Sequence, residues 1–285
     1  MPTAVCDGIE TRYEVLGPDL DSGAPPLLLF SPGGFDATIE NWSSFGIYAR
    51  LGLLDALGAR FACIAFDKRE SGRSGGRVEP LTWEAYARQG RDLLDHLGIE
   101  RAHLLGGCIG CSIALQFAET WPERTDRLVL YSPAGGPHYR KTQIGRLREH
   151  AGFASAEGLA RVVALAREGD ATYAQDPRLG PWASVLRRDE GFAAAYVDQD
   201  AARYDEIVAR CLELFPGDTV PGPRAERLME LHRPALIAPG NDASHALSAA
   251  HYLRECLPKA ELWDALPPEQ TAETAPQRVL AFLEQ

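Results

Sequence analysis

The residues with the clearest capacity for chemistry lie in Leu104-Leu105-Gly106-Gly107-Cys108-Ile109-Gly110-Cys111-Ser112. Cys108 has glycine two residues before it and two residues after it. An apolar run leads in and a helix-like run leads out, so the pattern predicts strand, sharp turn, helix. On such a turn the nucleophile sits at strained backbone angles, and a β-carbon on the flanking residues would strike the neighbouring strand or helix. The glycine spacing therefore marks Cys108 as a candidate nucleophile. Thiols are partly ionised near neutral pH, and a helix N-terminus favours the thiolate further. Cys108 and Cys111 also form a C-x-x-C pair, which leaves a reversible disulfide as a minor reading.

These residues need elements to position them. Leu27–Phe30, Phe61–Phe66, Ala102–Leu105, Leu128–Tyr131 and Pro234–Ala238 are short apolar runs of the kind that form buried strands. Helices are expected between them: one near Ile47–Leu57, one capped by Thr82 and stopped by Gly98, and one running from the turn to Phe117. A hairpin around Asp7-Gly8 opens the chain. A strand over Glu261–Leu266 and a helix from about Pro276 close it. The alternation implies a mainly parallel sheet with helices on both faces. From 137 to 231 strand-like runs disappear and helical spacing takes over. The chain is therefore divided into a core, 1–136 and 232–285, and an inserted helical cap, 137–231.

The chain has 285 residues, net charge -11 and 45% hydrophobic residues. It is long enough to bury a sizeable core. The acidic balance argues against nucleic acid or an anionic membrane as the main partner. No basic-then-apolar leader or membrane-length apolar run is visible, and six cysteines without such a leader fit a reducing, cytoplasmic setting. No cofactor or metal motif is found.

Four features occur in the order of the α/β-hydrolase superfamily: the turn Ser31-Pro32-Gly33-Gly34-Phe35, the segment Asp67-Lys68-Arg69-Glu70-Ser71-Gly72-Arg73-Ser74, the Cys108 turn and the loop Pro239-Gly240-Asn241-Asp242. The chain resembles the capped members, which include esterases, lactonases, dehalogenases and carbon–carbon bond hydrolases. The resemblance implies the α/β-hydrolase fold, with a mainly parallel eight-stranded sheet, helices on both faces and an inserted helical cap. It places Cys108 at the nucleophile, Ile109 and Gly34 (or Phe35) at the oxyanion donors, and Asp242 at the acid.

The expected histidine after the last strand is missing. That loop reads Leu266-Pro267-Pro268-Glu269-Gln270-Thr271-Ala272-Glu273-Thr274, with Glu269 nearest the usual place. His245, three residues beyond Asp242, is the leading substitute base; its alternative reading is a helix-start residue packed beside the acid loop. His138 is a weaker candidate to line the pocket. The expectation is a cysteine-nucleophile enzyme cleaving an activated carbonyl of a small, partly apolar substrate: an ester, lactone or thioester. Two alternatives stand beside it: a lyase, cyclase or decarboxylase that forms no acyl-enzyme, and a non-catalytic receptor for a small ligand.

Overall fold

In a computed structural model, residues 1–215 and 217–285 are described. Eight strands form the sheet: β1 (Thr3–Cys6), β2 (Ile9–Leu16), β3 (Pro26–Phe30), β4 (Ala62–Phe66), β5 (Ala102–Gly107), β6 (Thr125–Tyr131), β7 (Ala235–Ala238) and β8 (Ala260–Leu262). Their spatial order is β1-β2-β4-β3-β5-β6-β7-β8. From β4 across to β8 every pairing is parallel, whereas β1–β2 and β2–β4 are antiparallel. The sheet is thus mixed, and the expectation of a mainly parallel sheet holds for its inner and C-terminal part. The Asp7-Gly8 turn is the physical reason: a two-residue hairpin can only join antiparallel strands.

The helices are α1 (Asn41–Ser44), α2 (Gly46–Leu51), α3 (Leu53–Gly58), α4 (Trp83–His96), α5 (Gly110–Thr120), α6 (Pro137–Glu157), α7 (Leu159–Arg167), α8 (Ala183–Arg188), α9 (Glu190–Val197), α10 (Ala201–Cys211), α11 (Ala225–Met229), α12 (Leu247–Cys256) and α13 (Thr274–Leu283). The single helix expected over Ile47–Leu57 is two short ones, broken where Gly52 adopts φ 59°. The final strand is also shorter than expected: it spans Ala260–Leu262, and the last bond to β7 is from the Trp263 N–H to the Ile237 carbonyl at 2.9 Å.

Strands β3, β4 and β5 are buried along nearly their whole length, as continuous apolar runs require when both faces of a sheet are covered. Thr82 caps α4 by accepting the Ala85 N–H, and Trp83, Tyr86, Leu93 and Leu94 turn inward. Between β6 and β7 the described residues form helices, turns and irregular segments, with one isolated bridge pairing Gly135 with His245. This helical segment is bonded to α4 and the loop before it: Trp83 Nε1 donates to the Leu214 carbonyl at 3.1 Å, and Trp182 Nε1 donates to the Arg77 carbonyl at 3.2 Å. Among the described residues no helix is long and apolar enough to cross a membrane.

Candidate active site

Cys108 lies between β5 and α5 with φ 54°, a left-handed conformation unusual for a residue with a β-carbon. Its neighbours explain the glycines. A β-carbon on Gly106 would come within 2.5 Å of the Gly110 carbonyl oxygen, and one on Gly110 within 2.0 Å of the Phe30 carbonyl oxygen. The turn is held at both ends: the Cys108 N–H donates to the Tyr131 carbonyl at 3.2 Å, and the Cys108 carbonyl accepts from Ala134 N–H at 3.2 Å. The thiol side chain is buried.

Opposite it stands the loop after β7. Asp242 and His245 are three residues apart and paired, with His245 Nδ1 at 2.9 Å from both carboxylate oxygens. The loop closes on itself. Asp242 Oδ1 also accepts the backbone N–H groups of Ser244 (2.7 Å) and His245 (3.0 Å), and Asp242 N–H donates to the His245 carbonyl. Because Nδ1 faces the carboxylate, Nε2 points the other way; it is buried and has no oxygen or nitrogen partner. The group it faces is the Cys108 thiol, close enough for each to shift the other's ionisation, although the contact is not an aligned hydrogen bond in this conformation.

The electrostatics follow from that arrangement. Burial pushes the Cys108 thiol up, but the His245 imidazole and the N–H groups of Ile109 and Gly33 outweigh it, and the thiol sits below its ordinary value. Burial likewise disfavours the His245 imidazolium, yet the Cys108 sulfur and the Asp242 carboxylate raise it to about 9. Asp242 also loses some hydration, but its bonds to His245 keep its carboxyl below the ordinary range. A lowered thiol beside a raised imidazole is the direction of coupling expected when the two share a proton.

The other cysteines behave differently. Burial lifts Cys6 to about 11, and Cys63 and Cys211 to about 12, and Cys256 is raised too. Cys111 is held well above the ordinary thiol value and contacts the Gly106 carbonyl at 3.1 Å. Both thiols of the C-x-x-C pair are free.

The predicted residues separate into those gathered at the sulfur and those kept away. Cys108, Ile109, Asp242 and His245 come together. On the oxyanion side it is the Gly33 N–H that lies against the sulfur. Gly34 follows at φ 67°, and a β-carbon there would meet nothing within 4 Å, so this part of the turn borders open space. The Phe35 ring packs into the core against Tyr173 and Phe215. Glu269 is not part of the site. Its side chain turns back to accept the Leu266 N–H at 2.8 Å on an exposed turn. His138 is exposed at the start of α6.

Sequence reasoning missed Gly240 and Gln270. A β-carbon on Gly240 would lie 2.4 Å from His245 Cβ and 2.5 Å from Ser132 Oγ, so the imidazole's approach depends on that glycine. The Pro-Gly dipeptide carried a turn signal; a lone glutamine in a polar loop carried none.

A family model described as alpha/beta hydrolase fold matches residues 26–171. The chain belongs to this family. Within the alpha/beta hydrolase fold family, homoserine O-acetyltransferase from Thermus thermophilus is 38% identical over 134 residues, which is 41% of this chain and 35% of the relative. The 2-hydroxy-6-oxo-6-phenylhexa-2,4-dienoate hydrolase of Comamonas testosteroni is 49% identical over 49 residues, 17% of each chain. The match therefore spans about a third or less of these curated relatives' lengths. Among solved structures, the enol-lactonase of Burkholderia xenovorans aligns over 100% of both chains with TM-score 0.65 and 21% identity. An alpha/beta hydrolase enzyme from a Medee basin deep-sea metagenome library aligns over 100% of this chain and 98% of its own, with TM-score 0.66 and 18% identity. Both likenesses concern the fold.

Proposed function

We propose that this alpha/beta hydrolase uses Cys108 as a covalent nucleophile to cleave an activated carbonyl, an ester, lactone or thioester, on a small and partly apolar substrate. The observation that carries this reading is the line Asp242–His245–Cys108, in which the carboxylate fixes the imidazole tautomer and the free nitrogen faces the sulfur.

The Cys108 thiolate attacks the carbonyl carbon, forming a C–S bond and moving the carbonyl electron pair onto oxygen. The N–H groups of Ile109 and of the Gly33-Gly34 turn receive that charge. Collapse breaks the bond to the leaving group, which takes the proton from the His245 imidazolium. The now neutral His245 removes a proton from water, whose oxygen attacks the thioester. Expulsion of the thiolate releases the acid and restores the pair. The segment 137–231 serves as a cap over this site, and its Tyr173 and Phe215 pack edge-on against Phe35, with Tyr139 against Phe215.

Intact-mass analysis during turnover of a 4-nitrophenyl ester tests the reading. An acyl adduct on Cys108 and loss of turnover in Cys108→Ala are expected; full activity in Cys108→Ala overturns it. Turnover kept in Cys108→Ser with no adduct at any time would favour the non-covalent lyase or decarboxylase reading instead.

A further inference from the structure

The loop after β8 lacks the histidine but contains one fully buried polar side chain, Gln270. Its amide is fully oriented by its surroundings. Nε2 donates to the Pro239 carbonyl at 2.8 Å and to the Ala265 carbonyl at 2.8 Å, while Oε1 accepts from Tyr131 Oη–H at 2.8 Å. Two of these partners are carbonyl oxygens that only accept, so the amide cannot be flipped without placing oxygen against oxygen. The backbone is held as well, because Arg50 donates to the carbonyls of Gln270 and Pro267 at 3.1 and 2.9 Å.

Each of the three side-chain partners stands at or just past the C-terminal end of a different strand. Pro239 follows β7 and begins the loop that carries Asp242 and His245. Tyr131 ends β6, and its carbonyl accepts the Cys108 N–H. Ala265 lies beyond β8. One side chain therefore spans the seat of the nucleophile and the root of the acid–base loop.

We propose that Gln270 is a positioning residue that sets the distance between His245 and Cys108. This rests on the reading of Cys108 and His245 as a thiolate–imidazolium pair. Without the amide, the Pro239 carbonyl loses its donor, and the bonds from the Ser132 N–H to the Ala238 carbonyl (2.8 Å) and from the Gly135 N–H to the Ser244 carbonyl (2.9 Å) are left to hold the loop against the end of β6. The imidazole is then held less closely against the sulfur although no group touching it has been changed. A buried amide that serves stability alone would lower the melting temperature and leave thiol ionisation untouched.

The test is the rate of iodoacetamide alkylation of Cys108 in the full-length protein, followed by mass from about pH 5 to pH 9, with melting temperature measured alongside. The wild type should react at pH values where an ordinary thiol is protonated, and His245→Gln should lose that reactivity. Gln270→Met, close in shape but unable to make these bonds, should cut the rate at about pH 6.5 roughly tenfold and move the profile toward that of His245→Gln. Tyr131→Phe, which deletes only one hydroxyl, should move it in the same direction by less and covers the case in which Gln270→Met fails to fold. A folded Gln270→Met or Tyr131→Phe protein with the wild-type profile overturns the positioning role. A wild type whose profile matches His245→Gln instead overturns the ion pair on which the role rests.

Discussion

At the residue scale, the proposed function turns on which protons Cys108 and His245 hold. In that mechanism the reactive form has the sulfur ionised and the imidazole protonated. Activity should fall on the acid side as the thiolate takes a proton, below the ordinary thiol range because His245 and two N–H groups lower it. On the alkaline side it should fall as His245 passes about 9 and can no longer protonate the leaving group. A bell-shaped kcat/KM profile with its upper limb near that value is the expected result; an upper limb near the ordinary histidine value would mean that the sulfur and carboxylate do not support the imidazolium. Asp242→Asn should lower the upper limb, since a neutral amide stabilises the cation less than a carboxylate. Cys108 was legible in the sequence because its signal is steric and local. His245 was legible only as a neighbour of Asp242, since its bond to the carboxylate depends on how four residues turn.

At the element scale, the strand–turn–helix around Cys108 is a packing solution before it is a catalytic one. Gly110→Ala would force a methyl group into the Phe30 carbonyl oxygen, and β3 and α5 would have to separate. Such overpacking typically costs about 1–3 kcal/mol and can cost more, so a lower denaturation midpoint is expected, measurable by urea titration. Gly240→Ala separates function from fold. Its methyl group would press on His245 Cβ and Ser132 Oγ at the rim of the sheet, not between β3 and α5. It should depress kcat while shifting the melting temperature less than Gly110→Ala does; equal losses in both would place Gly240 among structural residues. The alternation of apolar runs revealed the inner strands because burial on both faces requires such runs. The break at Gly52 and the short β8 were less visible, since where an element ends depends on partners remote in sequence.

At the scale of the whole molecule, six free and buried cysteines share one fold, but only one has its ionisation favoured. Burial without a counter-charge raises the other five, which makes them poor nucleophiles. Brief iodoacetamide treatment of the native protein at neutral pH should therefore add a single group, located at Cys108 by peptide mapping. After denaturation all six should react. Several early adducts in the native state would show that His245 and the two N–H groups do not single out Cys108. The six-cysteine count was plain in the sequence, whereas the difference among them arises only when His245 and the two N–H groups are folded against one sulfur.

The short span between Asp242 and His245 has a consequence for chain entropy. Closing a loop becomes costlier as it lengthens, by about 0.6 kcal/mol for each doubling. An acid and base only three residues apart need almost no closure, and the Asx-type turn at Asp242 already brings them to the same side of the loop. The pairing of the two side chains is therefore set by contacts within four residues, and the Gly135 N–H, donating to the Ser244 carbonyl at 2.9 Å, fixes that short loop to the chain after β6.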